Sequence, residues 1–504
     1  MREYDFDPMN GAELSQLLSE LPPTDNIVHD VTPWRRAMER IVIGLALTTI
    51  TLHFLWLDYL LPFIGELMLV LGFRTLRQEN RWFRLNYIIS LGRLAVGIAS
   101  LVAASTIWQS RIFAALDTTE IRAGIVLVTF LNLFALRQGL CAVHRRAGLT
   151  PDCSSVNLLI VWTVLLCVLA SIQYSGLLLG LAVLAVYILI IWSLLAVAEL
   201  LDEAGYAISP APVRLSDSGI KKLVSAVVLA GMAAGYLFFH SYPMEWTPAP
   251  GPDAADTQVQ EAADRLLDMG FPDEVLKDLR AEDVLACRNA VRLVWDTQDY
   301  PVDSGRQLTV LTEPKTNTLR LTGIAAELPG GNWRIFHHFR WLDDPGAQGT
   351  ENLQMWPAYR ENEYWTLAGE WSGQLRCERD GTTWVSDYWA LETVNYTGTG
   401  FWGSYQSRDV FADFSFPGRA ENQRGYVSYE IRELCSGAII DSWFGYTHQN
   451  SFIQFPVRTA RDMRMTGSMS QSGSFFRVQD ALQFYPLDTP LETLRQQTEN
   501  AGTP

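Results

Sequence analysis

The chain has 504 residues, with 39 lysines and arginines against 55 aspartates and glutamates, and a formal net charge of −16. That length accommodates two or three domains. So acidic a balance argues against a nucleic-acid partner, whose phosphates need a basic surface, and against adhesion to an anionic lipid surface.

The charge is divided unevenly. Residues 1–240 carry 17 basic and 18 acidic side chains, and residues 241–504 carry 22 and 37. The reading is therefore of two unlike halves: a multi-pass α-helical membrane bundle of about seven spans, followed by a short helical segment and an extracytoplasmic all-β domain, a sandwich or jelly roll.

Residues 1–31 form an acidic leader with one basic and seven acidic side chains. Leu14, Leu17, Leu18 and Leu21 recur at helical spacing. A short amphipathic helix of this kind fits a docking peptide for a cytoplasmic protein partner; a helix lying along the membrane domain, or disorder, fits the same residues. The first apolar run begins near Ile41, too far along the chain for a cleaved secretory signal. The first span is therefore expected to serve as an uncleaved insertion signal.

Residues 32–240 are read as the membrane domain, its partner the lipid bilayer. A span needs about 20 mostly apolar residues. The runs are Ala37–Leu57, a shorter one from Pro62 to Phe73, Leu85–Trp108, Ile121–Leu136, Val156–Ile172, Leu177–Ala198 and Ile220–His240. Asp58 sits at the tip between the first two. Arg35, Arg36, Arg40, Arg74, Arg77, Arg81, Arg84, Arg137, Arg145, Arg146, Arg214, Lys221 and Lys222 fall on one set of alternate loops, and only Arg111 and Arg122 on the other. Thirteen against two places the N-terminus in the cytoplasm and residues 241–504 outside. The short second span keeps the parity odd.

Two charges interrupt the apolar runs. Glu66 lies eight residues before Arg74, and Arg93 nine after Arg84. Both sit about 12 Å in from the same face, so an intramembrane Glu66–Arg93 pair is expected; the alternative is a snorkelling Arg93 and a protonated or crevice-facing Glu66. Gly176-x-x-x-Gly180 and Gly231-x-x-x-Gly235 are close-packing patterns. Of the six cysteines, Cys141, Cys153 and Cys167 fall in the first half. Cys287, Cys377 and Cys435 fall in the second, where they allow either one bridge or three thiols.

Residues 241–254, rich in proline, read as a linker. Residues 255–300 read as helical, with Gly270 as a C-cap and Pro272 opening a new helix. Met269-Gly270-Phe271-Pro272 resembles the loop of ubiquitin-associated domains over a short stretch, on the wrong side of the membrane for ubiquitin; a helical spacer is expected. Residues 301–490 read as the β domain and 491–504 as a polar tail. Trp333, Ile335, His337, Phe339 and Trp341 alternate with Arg334, Phe336, His338 and Arg340. Asp380-Gly381 marks a tight hairpin between Leu375–Glu378 and Thr382–Val385. Further strands are predicted at Gly425–Ile431, Ala438–Tyr446, Ser451–Val457 and Gly473–Val478.

The second half holds eleven of the seventeen tryptophans. Trp333, Trp341, Trp365, Trp371, Trp384, Trp389 and Trp402, with Glu363 and Glu370 nearby, could form an aromatic platform for a glycan, peptide or protein ligand. The competing reading is a sandwich core filled with tryptophan. No His-Glu-x-x-His, Gly-x-Ser-x-Gly or Gly-x-x-x-x-Gly-Lys-Ser/Thr motif occurs in the sequence, and no catalytic residue, metal or cofactor is assigned. His337 and His338 point to opposite strand faces and cannot chelate one ion. In layout the chain resembles bacterial transmembrane sensors and membrane-bound anti-sigma regulators. The functional expectation is a non-enzymatic signalling or envelope-associated binding protein; a transport or export component, or an extracytoplasmic carbohydrate-active enzyme, are the alternatives.

Overall fold

The computed structural model describes residues 33–49, 56–172, 176–209, 215–250, 256–303, 316–346, 349–357, 364–400, 403–435, 437–451, 454–465 and 474–486. The leader with Leu14, Leu17, Leu18 and Leu21, together with Glu363 and Trp402, lies outside these residues. The chain divides into two compact units, one of residues 1–104 and 111–233, the other of 105–110 and 234–504.

The first unit is helical: α1 (Pro33–Thr49), α2 (Leu57–Leu76), α3 (Arg81–Ala103), α4 (Gln109–Leu116), α5 (Thr119–Arg146), α6 (Ser154–Ser171), α7 (Leu177–Glu203) and α8 (Asp217–Phe238). Six of these, α2, α3, α5, α6, α7 and α8, are long and apolar enough to cross a membrane. The expected first span continues past α1 into residues 50–55, outside the described set. The second, short in sequence, is a 20-residue helix that carries Pro62 near its start. The small helix α4 was not legible in the sequence.

Local chemistry sets the ends. Asn80 Oδ1 accepts from Trp82 N at 3.0 Å and Phe83 N at 2.9 Å, capping α3. Thr118 Oγ1 does the same for α5 through Ile121 N. The tight helix approach lies elsewhere than the two glycine patterns indicate. A Cβ on Gly65 would stand 2.8 Å from Gly44 O, so α1 and α2 touch backbone to backbone. Gly231 does pack, against Val102, whereas Gly180 has nothing within 4 Å. A Cys141–Cys153 disulfide joins α5 to the segment before α6.

In the second unit the proline-rich stretch is built into the sheet rather than free. Tyr242 is buried, and β1 (Thr247–Pro248) pairs with β8 (Thr382–Ser386), Thr247 opposite Val385. Three short helices follow: α9 (Thr257–Asp268), α10 (Asp273–Leu276) and α11 (Ala281–Ala286). Asp256 caps α9, and Gly270 at φ 92° ends it while Phe271 N returns to Leu266 O at 2.9 Å. The strands begin earlier than predicted, with β2 (Arg292–Asp303).

Then come β3 (Thr316–Leu328), β4 (Asn332–Trp341), β5 (Glu351–Trp356), β6 (Trp365–Leu367), β7 (Ser372–Arg379), β9 (Ala390–Gly400), β10 (Gly403–Phe414), β11 (Glu421–Glu433), β12 (Ile440–Gln449) and β13 (Phe475–Phe484). They form two antiparallel sheets. The first runs β1-β8-β7-β11-β4-β3-β2, with β6 also on β11, and the second runs β13-β12-β5-β10-β9. The β7–β8 hairpin turns on Asp380 and Gly381, both at positive φ (52° and 73°), as the right-handed strand twist requires. The strand expected at Ser451–Val457 does not form among its described residues; a helix, α12 (Ala460–Met465), follows instead.

One face of the first sheet meets the second sheet. Leu319, Leu321, Phe339 and Trp341 pack there with Leu353, Met355, Phe414 and Tyr446. The other face is covered by α9–α11, where Phe336 and Tyr426 meet Leu266, Phe271 and Val275. Strand β4 therefore buries both faces, and its alternation separates two cores.

Candidate functional site

The alternation of β4 decides where its aromatic residues go. Trp333 and Trp341 are 1 % and 2 % exposed, and Trp365 on β6 is 0 % exposed. Trp333 and Trp365 fill one end of the inter-sheet core with Phe484 and Tyr429; Trp341 fills the other and donates Nε1–H to Tyr446 OH at 3.1 Å. Rings buried this far present no face to a ligand. Trp371 is half-buried, its ring 4.5 Å from that of Tyr429, and Trp384 is half-buried against the core. Glu370 is exposed. Among the described residues, the candidate tryptophans thus do not converge on one platform.

Trp389 is the exception. It is half-buried, stacked on Tyr242 at 4.8 Å and edge-on to Trp108 at 5.6 Å. It lines an open cleft of about 490 Å³ with Met244, Glu245, Gln374, Ser386 and Asp387. That volume is in the range of small-ligand sites. Aromatic, acidic and amide groups around one hollow can stack a ring and hold hydroxyl or amine donors.

Two buried polar constellations flank the sheets, and the sequence shows neither. On the helix-covered face, Asp278 accepts from Arg424 Nε at 2.9 Å and lies 2.9 Å from His338 Nε2. Asp283 accepts from Arg334 at 2.5 Å, Ser372 Oγ at 2.7 Å and Tyr426 OH at 2.5 Å. Burial pushes the Asp278 carboxyl up, but the bond to His338 and the Arg424 charge outweigh it and hold the group below the usual carboxylate range. Both aspartates belong to the segment read as a spacer, so nothing in sequence pointed to their arginines. Every carboxylate oxygen of this network is occupied, while Arg334 Nε has no partner among the described residues, and the network fixes α10 and α11 to the sheet.

The second constellation lies between the sheets. His448 Nδ1 lies 2.6 Å from Glu351 Oε1, both buried, next to Trp341. Burial raises the Glu351 carboxyl, and His448 only partly opposes it. His337 faces the same interior: its Nε2 lies 2.7 Å from Ser442 Oγ and its ring stacks 5.0 Å from Phe444, and burial pushes its pKa down to about 3. His338 points the other way, to Asp278. No group of three or more metal-ligating side chains occurs among the described residues. Cys287 and Cys377 are buried free thiols, each pushed up to about 12 by burial, and Cys435 is free and exposed.

In the helical unit, Arg93 Nη2 reaches Glu66 Oε1 at 2.5 Å. Glu66 is 6 % exposed, and its Oε2 has no partner among the described residues. One face of α3 continues with Ser90 and Asn86, both fully buried. With its amide oriented to satisfy its neighbours, Asn86 donates to Asn132 Oδ1 on α5 at 2.8 Å.

No family model matches the chain, and no curated protein matches it. Among solved structures it is similar to the KRT10-binding region domain of the pneumococcal serine rich repeat protein PsrP, at 9 % identity and a TM-score of 0.15, over 31 % of this chain and 86 % of that one. It is also similar to AvmM, which catalyzes macrocyclization in alchivemycin A biosynthesis, at 12 % identity and a TM-score of 0.18, over 32 % and 85 %. Likenesses this slight carry no functional argument.

Proposed function

We propose that the chain is a multi-pass membrane protein with a cytoplasmic N-terminus, and that its β unit is an extracytoplasmic binding or sensing module of the cell envelope. The observation that carries this reading is the membership of residues 105–110 in the β unit. That segment joins α3 to α4, a loop that the distribution of basic residues assigns to the outer side. Ile107 N donates to Phe239 O at 3.0 Å, and Trp108 packs on Trp389. A loop and a domain that pack together share one side of a bilayer, which supports an even number of spans between them; that this side is the outer one follows from the distribution of basic residues.

Orientation is tested with the native exposed thiol. A membrane-impermeant maleimide should label Cys435 in intact cells, with the signal lost in Cys435→Ser; labelling only after permeabilisation would reverse the topology. The ligand site of this reading is the Trp389 cleft. Glycan and peptide arrays probed with the detergent-solubilised full chain should give hits that Trp389→Ala weakens by roughly tenfold or more. Hits insensitive to that change would move the site elsewhere. On the signalling form of this reading, residues 1–31 dock a cytoplasmic protein. Deleting them should then release that protein from a crosslinking pull-down while insertion is kept.

A further inference from the structure

We propose that Glu66 is a proton-binding site within the helical unit, reached along the face of α3 that carries Asn86, Ser90 and Arg93. The proposal rests on the helices crossing a bilayer, as above. It adds a second activity, separate from the outer cleft.

Glu66 is the tenth residue of the 20-residue α2, and Arg93 the thirteenth of the 23-residue α3, so both stand mid-helix. In hydrocarbon an ionised carboxylate is tolerated only when it is well paired. Glu66 meets this half-way. Oε1 holds Arg93 at 2.5 Å, while Oε2 is buried without a partner among the described residues. Asp283 in the β unit has both oxygens occupied by its three donors. Glu351 there has a bare oxygen as Glu66 does, but Glu66 alone of the two stands mid-way along a helix long and apolar enough to cross a membrane. The bare oxygen is where a proton adds. The carboxylate then becomes a neutral acid, the Arg93 charge stays, and no other bond forms or breaks.

Among the described residues no second charged group competes for Glu66. α1 presents Gly44 and Thr48 beside Gly65, and α8 presents Ile220 and Val224 to Leu67, Val70, Leu71 and Leu94 of α2 and α3. Lys221 and Lys222 of α8 are exposed. Asp58 is at the far end of α2, and Arg74 at the near end is held by Asp217 at 3.3 Å. Arg93 is therefore the charged group that faces Glu66 from the described elements.

A path is also present. Asn86, Ser90 and Arg93 follow at spacings of four and three residues, which stacks them along one helix face about 5–6 Å apart. Asn86 and Ser90 are 0 % exposed, and Ser90 Oγ is unpartnered among the described residues. Asn132 adds a second amide beside Asn86. Below them Asn80 caps the helix and donates to Gly139 O at 3.2 Å. Polar groups thus run from Asn86 to mid-helix, on a face whose other buried residues are Phe83, Leu94 and Leu101.

The test uses the full chain in liposomes. Infrared difference spectra across a pH titration should show a carboxylic-acid C=O band that grows on acidification, disappears in Glu66→Gln and shifts in Glu66→Asp, the second variant guarding against misfolding of the first. The double variant Asn86→Ala/Ser90→Ala should keep the band at equilibrium but slow dye-reported proton uptake by about tenfold, the loss of hydrogen-bonding groups from the path. No titrating band, or one unchanged in folded Glu66→Gln, overturns the site. An unchanged uptake rate in the double variant overturns the path. Either failure, alongside outside labelling of Cys435, would leave the outer binding reading intact.

Discussion

The Asp278–Asp283 network of the β unit and Glu66 of the helical unit bury charge in opposite ways. In the β unit, Asp278 and Asp283 are enclosed by arginines, a histidine, a serine and a tyrosine, until nearly every oxygen lone pair has a donor. In the helical unit Arg74 and Arg146, near the ends of their helices, meet Asp217 and Glu79, Arg40 of α1 shares that Asp217, and mid-helix Glu66 has one partner and one bare oxygen. A protein interior repays desolvation only when every group is satisfied. The donors on every oxygen of Asp278 and Asp283 mark that network as structural. A bare buried oxygen occurs on Glu351 as well, so it is the vacancy together with the mid-helix position that singles out Glu66.

The comparison can be broken at several points. The largest effect is expected from Asp283→Ala, which leaves Arg334 and Tyr426 without their buried acceptor. It should cost about 3–5 kcal/mol in denaturant titrations of the detergent-solubilised chain followed by tryptophan emission. A loss near zero would mean that apolar packing alone holds α10 and α11. Next, Gly65→Ala forces a methyl against Gly44 O and should destabilise the helical unit by about 1–3 kcal/mol, read by helical circular dichroism, with the β unit unaffected.

Acid should act on the β unit through His337. Its folded pKa is depressed to about 3 by burial, so its contribution is fully present above the unfolded value of about 6.5 and is lost as pH falls toward 3. The slope is about 1.4 kcal/mol per pH unit. Glu351, raised by burial, acts in the opposite sense between the ordinary carboxylate value and its own. The difference between wild type and His337→Gln therefore isolates the histidine. Equal acid sensitivity in both would remove it as the cause. The smallest effect is expected from Glu392→Ala. Glu392 is half exposed and bonds Arg461 at 2.7 Å, a pair worth at most about 1 kcal/mol because Asp413 still holds Arg461 at 2.8 Å.

Much of the fold was legible because its signals are local. A bilayer-length helix is a run of apolar residues, so the six helices long and apolar enough to cross a membrane can be placed from the sequence, although α5 runs on from the expected Leu136 to Arg146. The strand β4 declares its two faces by alternation, and Asp380-Gly381 declares its turn. The missed elements have weaker local signals: α4 and α12 are short, and β1 is a two-residue pairing made by a stretch that composition assigns to a linker.

The candidate sites were less legible, since burial depends on which strands become neighbours. Whether Trp341 is core or surface depends on the second sheet lying over β4, and whether Trp389 lines a cleft depends on Tyr242 and Met244 returning to it after a helix and a turn. Asp278 and Asp283 gain their roles only when β7, β11 and β4 lie side by side and bring Arg334, Ser372, Arg424 and Tyr426 beneath α10 and α11. The sequence by itself determined that an apolar helical half precedes an acidic β half, because hydropathy and charge are summed along the chain. Only the tertiary structure decided which polar groups are saturated and which are left open, because hydrogen-bond partners are separated by tens to hundreds of residues and meet only after folding.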